Sequence, residues 1–503
     1  HGCRDHGLVP ESSQPAEVAE LSALVAGLRV ANTGLREVIG GQATRLEAQS
    51  VQIQALTAEI AELKRRLDKD SSTSSKPPSS DPPYRKPARG SSRTSSGRKP
   101  GKQPGAPGAA MPLVDDPDEI VVCDPGCCTD CGADLSGAPV CGMTRRQVTD
   151  VLPPPPPRVT EYQIFTRACP GCAARQVGAA PAVAAGRAQY GPGVLARAAE
   201  LLCAHYLPVA RATGLMASLV GVGVSTGFMA GVRHRAAVLL EAAFLPRVRE
   251  LLREVGVLHA DETPGRVAGG LAYVHVACTE FLTAMHTGGR SKADIDAGQV
   301  LPGYTGTIVR DGYAGYIHLV DADHAWCAAH LLRDLRSFDR ADPDGQLWAA
   351  AMADTLVAAH NTANAARAAG RDTLTDQELT TIRRRYRGAT AAGISDNTAR
   401  AGPLARDALT LARRFRKHEA MILRFVVDLA VPWTNNQAER DVRPVKIQQR
   451  TSGGAWRTLA GIADFAIVAS YLSTASKWGL DSLDVLTRLF TTGAWLPPAA
   501  TPG

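Results

Sequence analysis

Residues 255–263 read VGVLHADET, an apolar run that leads into two acids. Two similar runs follow, LAYVHVACT at 271–279 and FLTAMHTG at 281–288, and glycine-rich or very short connections separate them. Short runs of this kind, bounded by turn residues, predict three consecutive strands in an antiparallel meander. SKADIDAGQVL at 291–301 then predicts a helix, and TGTIVRDGY at 305–313 predicts a fourth strand.

The order strand, strand, strand, helix, strand is that of a ribonuclease-H-like α/β core, here over residues 250–338. In that fold the first strand is central and the strand after the helix lies parallel beside it. Asp261 and Asp311 would then project from the ends of adjacent strands, with His259 on the face of Asp261. Two neighbouring buried carboxylates oppose each other's ionisation unless they share a cation. The pattern therefore predicts a cation site.

A third acid, Glu439, lies in WTNNQAERDVRP at 433–444. Residues 339–420 are rich in Ala and Arg and carry no strand signal, so they predict an all-helical insertion. The chain would return to the core over 421–490, with Glu439 in the first turn of a helix. Arg440, Arg443 and Lys446 follow at three-residue steps, and a carboxylate beside a basic stripe suits a cation site against a phosphate backbone. Alternatively, Glu439 only complements the helix dipole.

Residues 18–70 carry a heptad repeat, which predicts a coiled coil, and residues 1–17 are expected to be disordered. Mostly β-branched residues at a, Leu at most d positions and one Asn at a favour a parallel two-stranded coil and hence a homodimer. The alternative is one amphipathic helix packed on its own domain. The a positions are Val18, Val25, Asn32, Ile39, Leu46, Ile53, Ile60 and Leu67, and the d positions are Leu21, Leu28, Leu35, Gln42, Gln49, Leu56 and Leu63.

Residues 71–112 form a basic segment rich in Ser, Pro and Gly. The chain has a formal net charge of +7, and residues 71–110 alone carry eight Lys or Arg against one Asp. Such a composition cannot bury enough apolar surface to fold and predicts a disordered tether. Because nearly all of its charges are positive, the tether is expected to contact a polyanion through residues such as Lys99 and Lys102. The alternative is a linker that only keeps the protein soluble.

Two Cys-x-x-Cys pairs lie in the next segment, 113–180, which predicts a zinc ribbon. CTDCGADL contains Cys128 and Cys131, and RACPGC contains Cys169 and Cys172. Four thiolates on two such knuckles can bind one structural Zn²⁺ tetrahedrally. Cys123, Cys127 and Cys141 are nearby substitutes, and DNA contact by the ribbon stays open. Paired thiolates also favour a reducing compartment, the cytoplasm.

Residues 185–248 predict a helical domain with a helix-turn-helix outline. VLARAAELLCAHYL and ARATGLMASLVG have helical spacing, and a GVGV turn leads to Ser225 as the N-cap of a third helix. That helix carries Arg233 and Arg235, with His234 between them, as candidate DNA contacts. An ordinary helical hairpin is the alternative.

Taken together, HADET, VRDGY, CAAHLLRDL and TNNQAERDVRPVK resemble the DDE transposases of bacterial insertion sequences, of the insertion sequence sixty-six type. The resemblance covers about residues 18–490 in the same domain order, with 491–503 as a tail, and departs from the family at TSGGAWRTLAG. It implies that Asp261, Asp311 and Glu439 are catalytic and hold two Mg²⁺ or Mn²⁺ ions. The implied partners are transposon terminal repeats, target DNA, further copies in a synaptic oligomer and accessory proteins of the same element.

Several alternatives stay open. Asp321 and Asp323 could replace Asp311, and Cys327 and His330, with His324 nearby, could bind metal or support the core. The run Arg383, Arg384, Arg385 and Arg387 is by default a solvated helix face, with DNA contact as the alternative. A catalytically silent DNA-binding regulator and a ribonuclease-H-like nuclease or resolvase are the competing functions. No apolar run reaches the roughly 20 residues of a bilayer span, so no membrane partner is expected; the protein should lie in the bacterial cytoplasm, at the nucleoid when bound to DNA.

Overall fold

The computed structural model describes residues 14–67, 105, 111–184 and 186–499. Most of the basic tether, including Lys99 and Lys102, and the first 13 residues lie outside the described residues. The helices are α1 Gln14–Leu67, α2 Pro192–Cys203, α3 Val209–Val220, α4 Thr226–Glu254, α5 Lys292–Asp296, α6 Ala328–Ala341, α7 Leu347–Ala368, α8 Asp376–Thr398, α9 Pro403–Lys417, α10 Glu419–Ile422, α11 Arg424–Val427, α12 Asn436–Thr451, α13 Leu459–Lys477 and α14 Ser482–Thr491. The strands are β1 Thr166–Ala168, β2 Arg175–Val177, β3 Val257–Val267, β4 Gly270–Cys278, β5 Thr283–Gly288, β6 Thr307–Arg310 and β7 Asp323–Trp326.

The fold is mixed α+β, with a helical N-terminal region and a sheet-containing core. It divides into two compact units, one formed by residues 1–81, 255–260 and 303–437 and the other by 82–254, 261–302 and 438–503. The boundary at 260 falls inside β3, so this strand contributes residues to both units.

The larger sheet has the strand order β5-β4-β3-β6-β7, with β3 in the middle. In the first unit, β3 pairs parallel with β6, with His259 opposite Val309, and β6 pairs parallel with β7. In the second unit, β4 pairs antiparallel with β5. The predictions of a central first strand and of a parallel neighbour after the helix are therefore confirmed. One expectation was wrong: β3 does not end at Asp261 but continues to Val267.

The predicted helical insertion consists of helices throughout, as expected from its Ala- and Arg-rich sequence. Within the first unit, α6 to α9 pack around a core that includes Trp348, Tyr386 and Phe415. The first of these helices, α6, begins at Ala328, within the segment assigned to the core, and the insertion boundary at 339 stays a prediction.

The second unit contains the helices α2, α3 and α4, for which the sequence predicted a helix-turn-helix outline. Gly221 ends α3 in the left-handed conformation (φ 72°), which glycine adopts without a Cβ clash. The Ser225 hydroxyl accepts a hydrogen bond from the Phe228 amide at 3.1 Å, so the predicted N-cap is confirmed. The helix that follows is longer than predicted, because α4 runs on to Glu254.

Among the described residues, α13 alone is long and apolar enough to cross a membrane, by length and composition. Its buried hydroxyls bond to β5: Ser470 accepts from the Met285 amide and Thr474 from the Thr283 amide. These are the contacts of a core helix, although the sequence was not expected to contain such a segment.

Candidate active site

Asp311 follows directly on β6, whose four residues are all buried. Its Oδ1 accepts a hydrogen bond from the Tyr313 amide at 2.8 Å, which closes a tight turn after the strand. The carboxylate is half-buried. Asp311 therefore follows the end of the strand that lies parallel beside the central one, as the sequence predicted.

The residue before it, Arg310, fixes this turn from inside the protein. Arg310 is fully buried; its Nε donates to His324 Nδ1 at 2.9 Å, and one terminal nitrogen donates to the carbonyls of Asp311 and Tyr313. Burial and the guanidinium lower the pKa of His324 to about 4, so the ring is neutral at pH 7. Its proton lies on Nε2, which donates to the Leu319 carbonyl at 3.1 Å. Both ring nitrogens of His324 are therefore used in hydrogen bonds, one with Arg310 and one with Leu319, and neither is left to bind a metal.

Asp261 is half-buried within β3, and its Oδ1 accepts from the Glu262 amide at 2.9 Å. The strand alternation sends its neighbour Glu262 to the opposite face. There Arg290 contacts Glu262 Oε1 through two nitrogens, at 2.9 and 2.6 Å, and the Glu262 side chain is only 2% exposed. Of the two acids in HADET, Glu262 is therefore neutralised by an ion pair with Arg290, which no pattern in the sequence indicated.

Asn435 connects three distant segments within the first unit. Its Nδ2 donates to the Ala260 carbonyl at 2.8 Å, so its Oδ1 is the acceptor for His259 Nδ1 at 2.9 Å. Its backbone amide donates to the Cys327 thiol at 3.2 Å, and these side chains are buried. The peptide that precedes Asp261 is thus bonded to the residue that precedes α12.

Glu439 lies in the first turn of α12 and is half-buried. Two residues later, the Asp441 carboxylate forms a buried ion pair with Lys477 at 2.5 Å and accepts from the Thr283 hydroxyl at 3.1 Å. Lys477 also donates to the carbonyls of Thr279 and Leu282. This network fixes α12 against the start of β5 and α13 in the second unit, and sequence patterns did not reveal it.

The alternative ligands have other contacts. Asp321 and Asp323 are exposed, and Asp323 forms an ion pair with Arg424 at 2.6 Å. Cys327 accepts from Asn435, which fits the support role, although a thiol and the imidazole of His330 on α6 are also ligand types that could hold a metal ion.

The family model described as "Transposase IS66 family" matches residues 187–463, more than half of the chain. The chain belongs to this family. A second model, described as "Family of unknown function (DUF6444)", matches residues 8–112. No curated protein matches the chain. The matched range of the IS66 family contains Asp261, Asp311 and Glu439, and DDE-type transposases usually use divalent metal.

The IS66 family member presents several candidate DNA contacts in its second unit. Arg440 and Arg443 are exposed on α12. The Lys446 ammonium donates to the Pro264 carbonyl. Burial lowers the pKa of Lys446, and the positive charges of Arg450 and Arg266 lower it further. Like charges thus gather on this face of α12, and Arg266 and Arg450 add to the predicted stripe.

On α4, the two predicted contacts differ. Arg233 lies 6.0 Å from the ring centroid of buried Trp456, whereas Arg235 is exposed. His234 between them bonds to Asp464 at 3.2 Å. Arg233 and His234, part of the predicted recognition surface, therefore contact other residues of the second unit. Trp456 belongs to the segment TSGGAWRTLAG, where the sequence departs from the family.

The cysteine segment of this IS66 family member forms two similar knuckles. The Cys128 amide donates to the Ala133 carbonyl and the Cys169 amide to the Ala174 carbonyl, both at 2.9 Å. Backbone amides in each turn lower the pKa of Cys128 and of Cys169, which favours thiolates. In the described part of the chain, no close group of three or more ligand atoms includes these cysteines or Cys131 and Cys172. Convergence of the two pairs on one Zn²⁺ stays a prediction.

Proposed function

We propose that this IS66 family member binds transposon ends and catalyses two-metal-ion DNA strand cleavage and strand transfer, with Asp261, Asp311 and Glu439 as catalytic residues. The observation that carries the proposal is the bonding of Asn435. Asn435 is the residue before the helix of Glu439, and it donates to the carbonyl of the residue before Asp261, in the strand parallel to the one that Asp311 follows. In this proposal the three carboxylates act together as the DDE residues of a ribonuclease-H-like core.

The donor set suits the implied ions, since Mg²⁺ prefers carboxylate oxygens and retains several waters. Asp261, Asp311 and Glu439 would hold two Mg²⁺ or Mn²⁺ ions. When bound, these ions supply activation of the attacking oxygen and stabilisation of the leaving oxygen. The chain itself orients the carboxylates: Arg310 fixes the backbone at Asp311, Asn435 fixes the backbone before Asp261, and the Asp441–Lys477 pair fixes α12.

The remaining parts serve DNA and assembly in this proposal. Arg440, Arg443, Lys446, Arg233, Arg235, Lys99 and Lys102 would contact phosphates. Cys128, Cys131, Cys169 and Cys172 would bind one structural Zn²⁺, and α1 would pair with a second copy in a parallel coiled coil. The protein would act in the cytoplasm on its own element and target DNA, with accessory proteins of that element as further partners.

The test is cleavage of a linear DNA that carries the element's terminal repeats, with and without Mg²⁺. Asp261→Asn, Asp311→Asn and Glu439→Gln should each lower cleavage at least a hundredfold and leave end binding within a fewfold of the wild type. Asp321→Asn, which removes an exposed acid ten residues from Asp311, is the matched control and should cut normally. Binding without any Mg²⁺-dependent cutting by the wild type would favour the silent regulator instead.

A further inference from the structure

The helical insertion carries a dense cluster of exposed cations on two neighbouring helices. They occupy the middle of α8 and the end of α9, and all are exposed. We call this cluster the α8–α9 basic patch: Arg383, Arg384, Arg387, Arg413, Arg416 and Lys417. Arg385 is left out of it, because it lines a separate cleft with residues of α7.

Contacts in the core bring the two halves of the patch together. The Tyr386 hydroxyl donates to the Phe415 carbonyl at 2.8 Å, and the two rings lie 6.0 Å apart. Both side chains are fully buried, so the residues that flank them come to the surface side by side. Arg387 and Arg416 accordingly line the same surface cleft, together with Glu419. The patch is one surface built from two helices.

The patch is almost without counter-charge. Arg387 pairs with Glu419 at 2.8 Å. None of the other five cations forms an ion pair with any residue that the structure describes. Among the other cations of the insertion, Arg371 is paired with Glu378 and Arg400 with Asp342. A merely solvated helix face would not concentrate unpaired charge at one place, whereas a polyanion would relieve the repulsion.

We propose that the α8–α9 basic patch binds the phosphate backbone of duplex DNA. The inference rests on the proposed function, which supplies DNA as the partner, and adds a contact region in the insertion. The dimensions agree: the patch spans about 6 Å along each helix, and packed helices lie about 8–10 Å apart. About 10 Å of duplex carries about six phosphate charges. No base-reading geometry is implied, so the contact should be independent of sequence.

The test measures how the binding of a random-sequence duplex by the full chain depends on salt, without added Mg²⁺. The test variant combines Arg383→Gln, Arg384→Gln and Arg416→Gln. The matched control combines Arg371→Gln, Arg400→Gln and Arg406→Gln, which removes the same charge from the same insertion. Arg406 lies on α9 roughly 15 Å along the helix from Arg416. Gln is a good helix former, and equal thermal midpoints would confirm that both variants fold.

Each phosphate contact contributes about 0.9 to the slope of log K against log salt. The magnitude of the slope should therefore be smaller by about 2–3 in the test variant, which should also bind at least tenfold more weakly at low salt. The control should match the wild type in both quantities. Equal slopes in the two variants would overturn the patch. If the two slopes were equal and the wild type still cut terminal repeats, the patch would be wrong and the proposed function would stand. If the test variant had the smaller slope but the wild type never cut terminal repeats, the patch would stand and the proposed function would be wrong.

Discussion

His286 on β5 is a residue whose burial makes folding depend on pH. Its ring stacks on His275 at 4.8 Å, and its Nε2 donates to the Asp294 carbonyl at 2.8 Å. Burial, followed by the nearby charges of His275 and Arg249, lowers the pKa of His286 from 6.5 to about 4. The folded protein therefore keeps this ring neutral at pH values where the unfolded chain protonates it.

We predict that His286 makes stability fall between pH 6.5 and pH 4. Because the folded pKa is depressed, the contribution is complete above the unfolded pKa and is lost as pH falls towards the folded one. Between pH 7 and pH 5 the loss from this group is about 2 kcal/mol. His286→Gln keeps a donor for Asp294 but cannot titrate. Its free energy of unfolding, measured with urea at both pH values, should change by about 2 kcal/mol less than that of the wild type.

Three other histidines also have lowered pKa values: His324, His360 and His418. The wild type and His286→Gln both contain them, so their contributions to the pH dependence of stability cancel in the comparison. An identical pH dependence for His286→Gln and the wild type would show that the ring is not kept neutral by burial.

At the scale of elements, Asn435 fixes the connection before α12 to the backbone of β3 at Ala260. We predict that Asn435→Ala lowers the cleavage rate at least tenfold and the free energy of unfolding by at least about 2 kcal/mol, because the Ala260 carbonyl and the His259 ring lose buried partners. Binding of terminal-repeat DNA should stay within a fewfold of the wild type. Single-turnover cleavage, end binding and urea unfolding measure the three quantities.

The control is Asn436→Ala, which truncates the next residue, an exposed one, at the start of the same helix. It should cut at the wild-type rate. If Asn435→Ala cut as fast as Asn436→Ala despite lower stability, Asn435 would support the fold without positioning the site.

Local patterns in the sequence predicted the strand order and the place of Asp311, since a strand's end is marked by its own residues. These patterns did not predict structure that depends on contacts between segments far apart in the sequence. The glycine-rich connection predicted after the first strand lies partly inside β3, which continues to Val267 and pairs there with Trp456. Asn435 and His259 lie 176 positions apart, and Glu262 and Arg290 lie 28 apart. Such pairs carry no periodic signal, so only the folded chain reveals them.

At the scale of the whole molecule, α1 is a helix of 54 residues whose heptad side chains are exposed in the single chain. Leu28 is 62% exposed and Ile53 64%. At about 1.5 Å per residue the helix is roughly 80 Å long. An apolar seam of that length needs a partner, and its heptad pattern favours a second copy of the chain in parallel.

We predict that the full chain is a dimer and that Leu28→Lys combined with Ile53→Lys makes it a monomer, because both charges would enter the a/d seam. Val30→Lys combined with Val51→Lys is the matched control. These valines are also exposed, at 75% and 67%, but lie at position f, outside the seam. Light scattering at micromolar concentration should give a dimer mass for the wild type and the control. A dimeric seam variant would exclude α1 as the interface. If that variant is a monomer that still cuts one end but no longer joins two, the coil serves to pair the ends.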